Sequence, residues 1–574
     1  MKGEGGNITI NAGSLLVNSS TKQPANAGIA AASSGIGNAG QINITSDSLS
    51  LTNGGFLDNT TQVQGNAGPI KITAKSVILA NDDPERPAIQ TVVRKTAQQT
   101  AQQSSNGGDI TINTDSLSLT NGAAISARTS GQGKAGNIQI NARDFVNISG
   151  TDPISGRSSA LFTDTESAGF TGGNITIGNV IKPNLFRISD GAVLVTSTSS
   201  SGNAGNITVN ANRFEAINGG QLIARTTSSG AAGTIKVNAD RRVTISGRDA
   251  TFAERRSKLG GANDENIFTN RDTNRIVTVS DTNSEVFSGF YVNSQKSTSP
   301  AGNIVVDSPI VFLDNKGRLI AESGSSNGGN INLQNGNLLL LRRNSLISTT
   351  AGTEQQPGNG GNIEIKYPKG FIIAGFSRNN DIAANAFTGG GGEVTINALG
   401  TVNIRALKLD ELERQLGLSS NTSPEKRDPQ NLPTNEFTAI SQAGGPILQG
   451  SVNLYTQDVE PTRGTIQLPE DLGDSSRLIA QSCPVGVQGA ASRFVVTGRG
   501  GLPPNPGSAL STETFLGSAA NAPSGENATA STSIPPKEAQ GVEIGPRGEI
   551  ILTARPSTLT PHTSWQRLRG CYGK

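Results

Sequence analysis

The stretch GGDITINTDSLSLTNGAAISARTSGQGKA, residues 107–135, decides how the chain folds. Ile110 and Ile112, Leu117 and Leu119, and Ile125 and Ala127 mark three short runs in which apolar and polar residues alternate. A period of two is the signature of a strand with one face buried. The runs are separated by N-T-D, T-N-G and a Gly/Ser/Gln-rich stretch, residue types that favour turns. Three strands and three turns in a single short repeat describe one coil of a triangular solenoid.

Working outward, the opening of this stretch recurs along the chain. Two small residues and one polar residue precede an aliphatic–polar–aliphatic triplet at GGNITI (5–10), AGQINI (39–44), AGPIKI (67–72), AGNIQI (135–140), GGNITI (172–177), AGNITV (204–209) and AGTIKV (232–237). Further copies are AGNIVV (301–306), GGNINL (328–333), GGNIEI (360–365) and GGEVTI (391–396). In the tightest pairs the second glycines lie 28 residues apart, as in Gly40 to Gly68, Gly108 to Gly136 and Gly205 to Gly233. A propeller blade needs about 40 residues, so the repeat is too short for one. A single coil cannot bury its own apolar face, and stability must come from stacking on its neighbours. The expectation is an all-β, right-handed parallel β-helix of three-strand coils. Roughly 13–15 coils fit, a rod on the order of 65 Å long at about 4.8 Å per coil.

Seven of the twelve copies carry Asn after the paired small residues: Asn7, Asn137, Asn174, Asn206, Asn303, Asn330 and Asn362. This column reads as a structural turn ladder, each amide bonding to its equivalent one coil on, in preference to a ligand ladder. Gln41, Pro69, Asp109, Thr234 and Glu393 replace it freely, which a ligand set would not tolerate.

Composition excludes several functions. The chain of 574 residues has 71 Gly, 4% aromatic and 16% charged residues, and a formal net charge of +2. Such a balance offers no electrostatic case for nucleic acid or acidic lipid. The single His562 leaves no His-based catalysis or His-rich metal site in the repeats. No cofactor or metal motif is present, and the Gly/Asp nonapeptide of calcium-binding β-rolls is absent. Asp47 and Asp115 share the position before the S-L-S-L run but read as turn residues, so no enzyme is expected. No run of 18 apolar residues predicts a transmembrane helix. The start, MKGEGGNITI, carries no export leader, and the repeat begins at Gly5 without a cap. An uncapped solenoid end exposes core, so the chain reads as part of a longer protein.

Departures from the repeat divide the chain. Residues 1–405 read as the shaft, with inserts near 80–106 and 247–300. Thr91–Gln103 could form a short helix in the first insert. A degenerate coil in the second could use Ile276–Val279 and Val286–Val292, and Arg241, Arg242, Arg248, Arg255 and Arg256 read as a solvated loop. Residues 406–436 read as a helical insert and linker, with Leu409, Leu412 and Leu416 at helical spacing. One or two last coils are expected at 437–470, ending in GTIQL (464–468). Residues 471–574 form a C-terminal tail, mostly irregular and partly disordered from its Pro, Gly, Ser and Ala content. The only two cysteines, Cys483 and Cys571, flank that tail, and a disulfide between them would close it onto the end of the shaft. Two unpaired thiols are the alternative.

The repeated GNITI, SLSLTNGG and GNAG strings resemble the shaft of large cyanobacterial proteins of the filamentous-haemagglutinin family over about residues 3–405. TAISQ (438–442), LIAQSC (478–483), FVVTGRGGLPPNP (494–506) and GEIILTARP (548–556) resemble the C-terminal region of the same group. The resemblance implies the structural shaft of a secreted or outer-membrane-associated adhesin at the cell surface. It implies export by a two-partner system, through an outer-membrane β-barrel transporter, and cell-surface glycans as candidate partners. A surface-layer role, or a polysaccharide-binding or polysaccharide-cleaving β-helix, is the alternative.

Overall fold

A computed structural model of the chain describes residues 3–19, 27–80, 87–94, 105–165, 170–199, 201–258, 279, 285–294, 299–376, 379–419, 422–456, 541–544 and 550–553. The chain divides into two units, Met1–Leu468 and Pro469–Lys574. The first is a parallel β-solenoid of about 12 turns.

Each turn presents three faces, as the repeat predicts. The first two often belong to one bent strand, such as Ile42–Thr52, Ile70–Ala80 and Ile110–Thr120. The bend follows from a change of phase. Ile42, Ile44 and Ser46 point inward, Asp47 and Ser48 both point out, and Leu49 and Leu51 point inward again. A straight strand alternates strictly, so two successive outward residues force the ribbon round a corner. Elsewhere the two faces are separate strands, as in Ile175–Ile177 and Leu185–Ser189. The third face is a stack of short strands, including Phe56–Asp58, Ala124–Ser126, Ala160–Thr165, Val193–Thr198 and Gln221–Thr226.

Inward side chains stack in register. Ile42, Ile70, Ile110, Ile138, Ile175, Ile207 and Ile235 form one unbroken column on the first face. Every one is fully buried. Burial of an aliphatic side chain contributes roughly 1.5–3 kcal/mol, so the stacked columns are the main source of stability. Some inward positions hold aromatic rings. Phe186 stacks on Phe214 at 5.3 Å, and Phe214 meets the edge of Phe290 at 5.2 Å.

Two corners have their own chemistry. Between the second and third faces, Asn53-Gly54, Asn121-Gly122 and Asn218-Gly219 all adopt positive φ. Asn tolerates that region and Gly is unhindered there. Between the third and first faces, the second small residue of the repeat is always Gly. A Cβ on Gly68, Gly136, Gly173, Gly205, Gly233 or Gly329 would run into the carbonyl oxygen of the matching glycine one turn back. Backbone stacks directly on backbone at this corner.

The insertions differ from the expectations in detail. Residues 87–94, assigned to an insert, complete a turn of the third face: Ile89–Gln90 is a strand and Val93 bridges Thr61 and Thr129. Ala88, Ile89 and Val93 fill inward positions, which overrides a helix starting at Thr91; residues 95–104 lie outside the described set. Gly289–Tyr291 likewise supplies only a third-face strand, with Phe290 and Val292 inward, while 276–278 are not described. The shaft has about 12 turns, fewer than the 13–15 expected. Among the arginines read as solvated, Arg255 is buried. It sits on an unpredicted helix, Phe252–Lys258, is ion-paired with buried Asp249, and donates to the Gly156 carbonyl at 2.9 Å.

The predicted helix spans Leu409–Leu416 and ends at Gly417 in the left-handed conformation. Leu412 packs with Leu407, Leu432 and Ile440. Ahead of it, Arg405–Leu407 adds a strand beside Glu436–Thr438 on the third face. The last described strand of the shaft is Ser451–Thr456, and GTIQL lies beyond it, outside the described residues. In the second unit the described residues form an antiparallel hairpin, Gly541–Ile544 with Ile550–Thr553.

Candidate functional site

The seven asparagines lie on one exposed column at the corner that opens the first face. Asn174 Oδ1 accepts the backbone N–H of Asn206 at 2.8 Å, and Asn206 Oδ1 accepts that of Thr234 at 2.8 Å. Asn137 does the same for Asn174, Asn303 for Asn330, Asn330 for Asn362, and Asn7 for Gln41. The acceptor is thus the side-chain carbonyl, and the donor is mostly the next turn's backbone. Side chains also pair where Asn137 donates to Asp109 (3.0 Å) and Asn330 to Asn303 (2.9 Å). Each bond satisfies a corner N–H, a net gain of about 1 kcal/mol. A second column, not singled out in the sequence, runs beside it: Asn38 accepts from Asn66, Asn66 from Asn106, and Asn106 from Lys134. Its signal was the Asn of the GNAG string.

Asp47 and Asp115 do share a corner, where cations alternate with them. Lys75 bridges to Asp47 at 2.7 Å and Arg143 to Asp115 at 2.8 Å. Cys483 and Cys571 lie outside the described residues.

The acids that do come together were not singled out in the sequence. They lie on the outer side of the third face, beside the 405–435 segment. Leu346, Asp381, Glu436 and Arg405 occupy one register column on successive strands. Asp381 and Glu436 are both buried, and the Glu436 N–H donates to Asp381 Oδ1 at 3.0 Å. Burial, reinforced by the charge of Glu436, pushes the Asp381 carboxyl up to about 8, and burial raises Glu436 too. Glu322 on the same face is raised by burial, against the Ser348 hydroxyl bonded to it and the charge of Arg318. Half-buried Asp428 of the inserted segment is also raised by burial.

Two adjacent carboxyls away from water cannot both ionise cheaply, which favours the protonated form of the pair. The inserted segment is tied down around them. Asn379 Nδ2 donates to the Gln430 carbonyl at 2.9 Å, Arg427 donates to the Gln442 carbonyl at 3.1 Å, and Arg427 pairs with Glu413 at 2.8 Å. Asp381 and Glu436 are thus buried beside this segment, out of contact with solvent. The sequence signal was faint: Asp381 and Glu436 open the short third-face triplets DIA and EFT, and Glu436 falls at the end of a Pro-rich stretch that reads as linker.

Among the described residues, no group of three or more His, Cys, Asp or Glu is placed to hold a metal ion, and no helix is long and apolar enough to cross a membrane. No family model, curated protein or solved structure matches the chain.

Proposed function

We propose that this chain is the structural shaft of a cell-surface adhesin of the filamentous-haemagglutinin type, exported through an outer-membrane β-barrel partner. The observation that carries the reading is the continuity of stacking. About 12 turns stack in parallel with aliphatic columns inside and Asn ladders at the corner, with bulges at only a few second-face bends. Every turn braces the next, which suits a part whose task is to bear load and hold something at a distance. The sequence resemblance supplies the surface role, and its glycan partners are part of the same proposal. The buried carboxyl pair favours no open catalytic cleft, so a polysaccharide-cleaving reading draws no support from it.

The test is made in cells that produce the protein. Protease and antibody access on intact cells should find the shaft outside, and deletion of the gene should reduce adhesion to host or abiotic surfaces. A shaft found only in the cytoplasm, or adhesion unchanged by deletion, would sink the adhesin reading.

A further inference from the structure

The second face changes character along the shaft. In the early turns its outward positions hold Ser48, Ser76 and Ser116 in one column, and Ser50, Ile78 and Ser118 in the next. In the late turns the same columns become Ile310, Leu338 and Phe371, and Phe312, Leu340, Ile373 and Val402. The inward partners Val311, Leu339 and Ile372 are fully buried, so LLLL at 338–341 and FII at 371–373 are apolar on both sides. Strands that read as continuous apolar runs are those covered on both faces. Here the outer side is open, with Phe371 and Val402 each 41% exposed. A contiguous apolar patch of this kind marks an interaction surface.

Its margin is cationic. Arg213 and Arg242 stack in register on the turns just below Ile310, a like-charged pair that destabilises itself unless an anion neutralises it. Arg342 and Arg343 lie on one side, and Lys369, two residues before Phe371, on the other. The Arg342 guanidinium stacks over the Phe312 ring at 4.8 Å. Asp314 beneath them is buried and already shared between Arg342 and Arg343.

We propose that this late stretch of the second face docks on an anionic lipid surface. The two apolar rows meet acyl chains, and the surrounding arginines and lysine meet headgroup phosphates. Combined apolar burial and basic charge is what gives a peripheral protein stable membrane binding. The inference does not rest on the adhesin reading.

The test is flotation of the full chain with vesicles of phosphatidylcholine alone or mixed with phosphatidylglycerol. Binding to the anionic vesicles is expected, weakening as salt rises. Leu340→Ser with Phe371→Ser, and separately Arg213→Glu with Arg242→Glu, should each lower the bound fraction at least tenfold. Ile78→Ser, an equally outward change in an early turn, should leave it unaltered. Circular dichroism and hydrogen exchange check that every variant keeps the β-solenoid, and the charge variant leaves the apolar rows intact. No partition to anionic vesicles, or variants that bind like the parent, would overturn the proposal. So would light scattering that shows a dimer lost in the Leu340/Phe371 variant, which would assign the patch to a second copy.

Discussion

The glycine–asparagine corner and the end of the third face handle buried polar groups in opposite ways. At the corner many polar atoms are satisfied by contacts that recur from turn to turn. Thr163 and Thr196 reach from the third face to cap the carbonyls of Gly173 and Gly205 at 2.6 and 2.7 Å, and the Asn column caps the adjoining N–H groups. Repetition solves the hydrogen-bond problem once and reuses the answer. Around Asp381 and Glu436 nothing repeats. The buried groups there are a carboxyl pair, and its stability depends on a proton and on the segment packed beside it. A solenoid therefore gains robustness where its turns are identical and sensitivity to conditions where one turn departs from the rest.

The contrast can be broken most severely at the corner itself. Gly205→Ala places a methyl against the Gly173 carbonyl, between two backbones that cannot move apart without losing a stack. The expected cost is about 3 kcal/mol or more, and it should appear as lost hydrogen-exchange protection in the turns on either side. A stable, fully protected variant would show that the corner is looser than described.

At the other site, pH is the probe. A carboxyl whose folded value lies above its unfolded value binds its proton more tightly in the folded state. Stability is then greatest below about 4, falls as pH rises towards 8, and levels off above that. The slope is up to about 1.4 kcal/mol per pH unit for a single group. Asp381→Asn keeps the shape without the charge and should flatten this slope in thermal melts read locally at the 405–435 segment. An unchanged slope would remove the pair from the account.

Smaller effects are expected at the exposed Asn ladder and at a surface ion pair. Asn206→Ala leaves the Thr234 N–H without its acceptor but open to water, and should cost about 1 kcal/mol. Lys75→Ala removes an exposed, solvent-screened bridge to Asp47 and should leave the denaturant unfolding midpoint essentially unchanged.

These differences also explain what could be read from the sequence. A device used twelve times leaves a periodic trace, so the Ile columns, the glycines and Asn7 to Asn362 were legible as a repeat. The bent strand was hidden because Asp47 and Ser48 look like a turn, though they only shift the phase of one ribbon. Ile89 and Val93 were masked by charged and Gln-rich neighbours, yet two inward residues suffice to hold a third-face turn. Asp381 and Glu436 lie 55 residues apart, joined only by a segment that replaces a normal turn, and a device used once leaves no period to detect.

The central claim, stacking in a fixed register, is tested most directly by disulfide trapping in a chain with Cys483 and Cys571 replaced by Ser. Thr208 and Lys236 are register partners on the outside of the first face, and so are Lys236 and Val305. Adjacent parallel strands bring such Cα atoms within disulfide reach, whereas an offset of two residues puts them about 8 Å apart, beyond it. Thr208→Cys with Lys236→Cys, and Lys236→Cys with Val305→Cys, should cross-link rapidly under mild oxidation, while Thr208→Cys with Asn238→Cys should not. Equal trapping of the offset pair, or none of the register pairs, would contradict the fold on which everything else here depends.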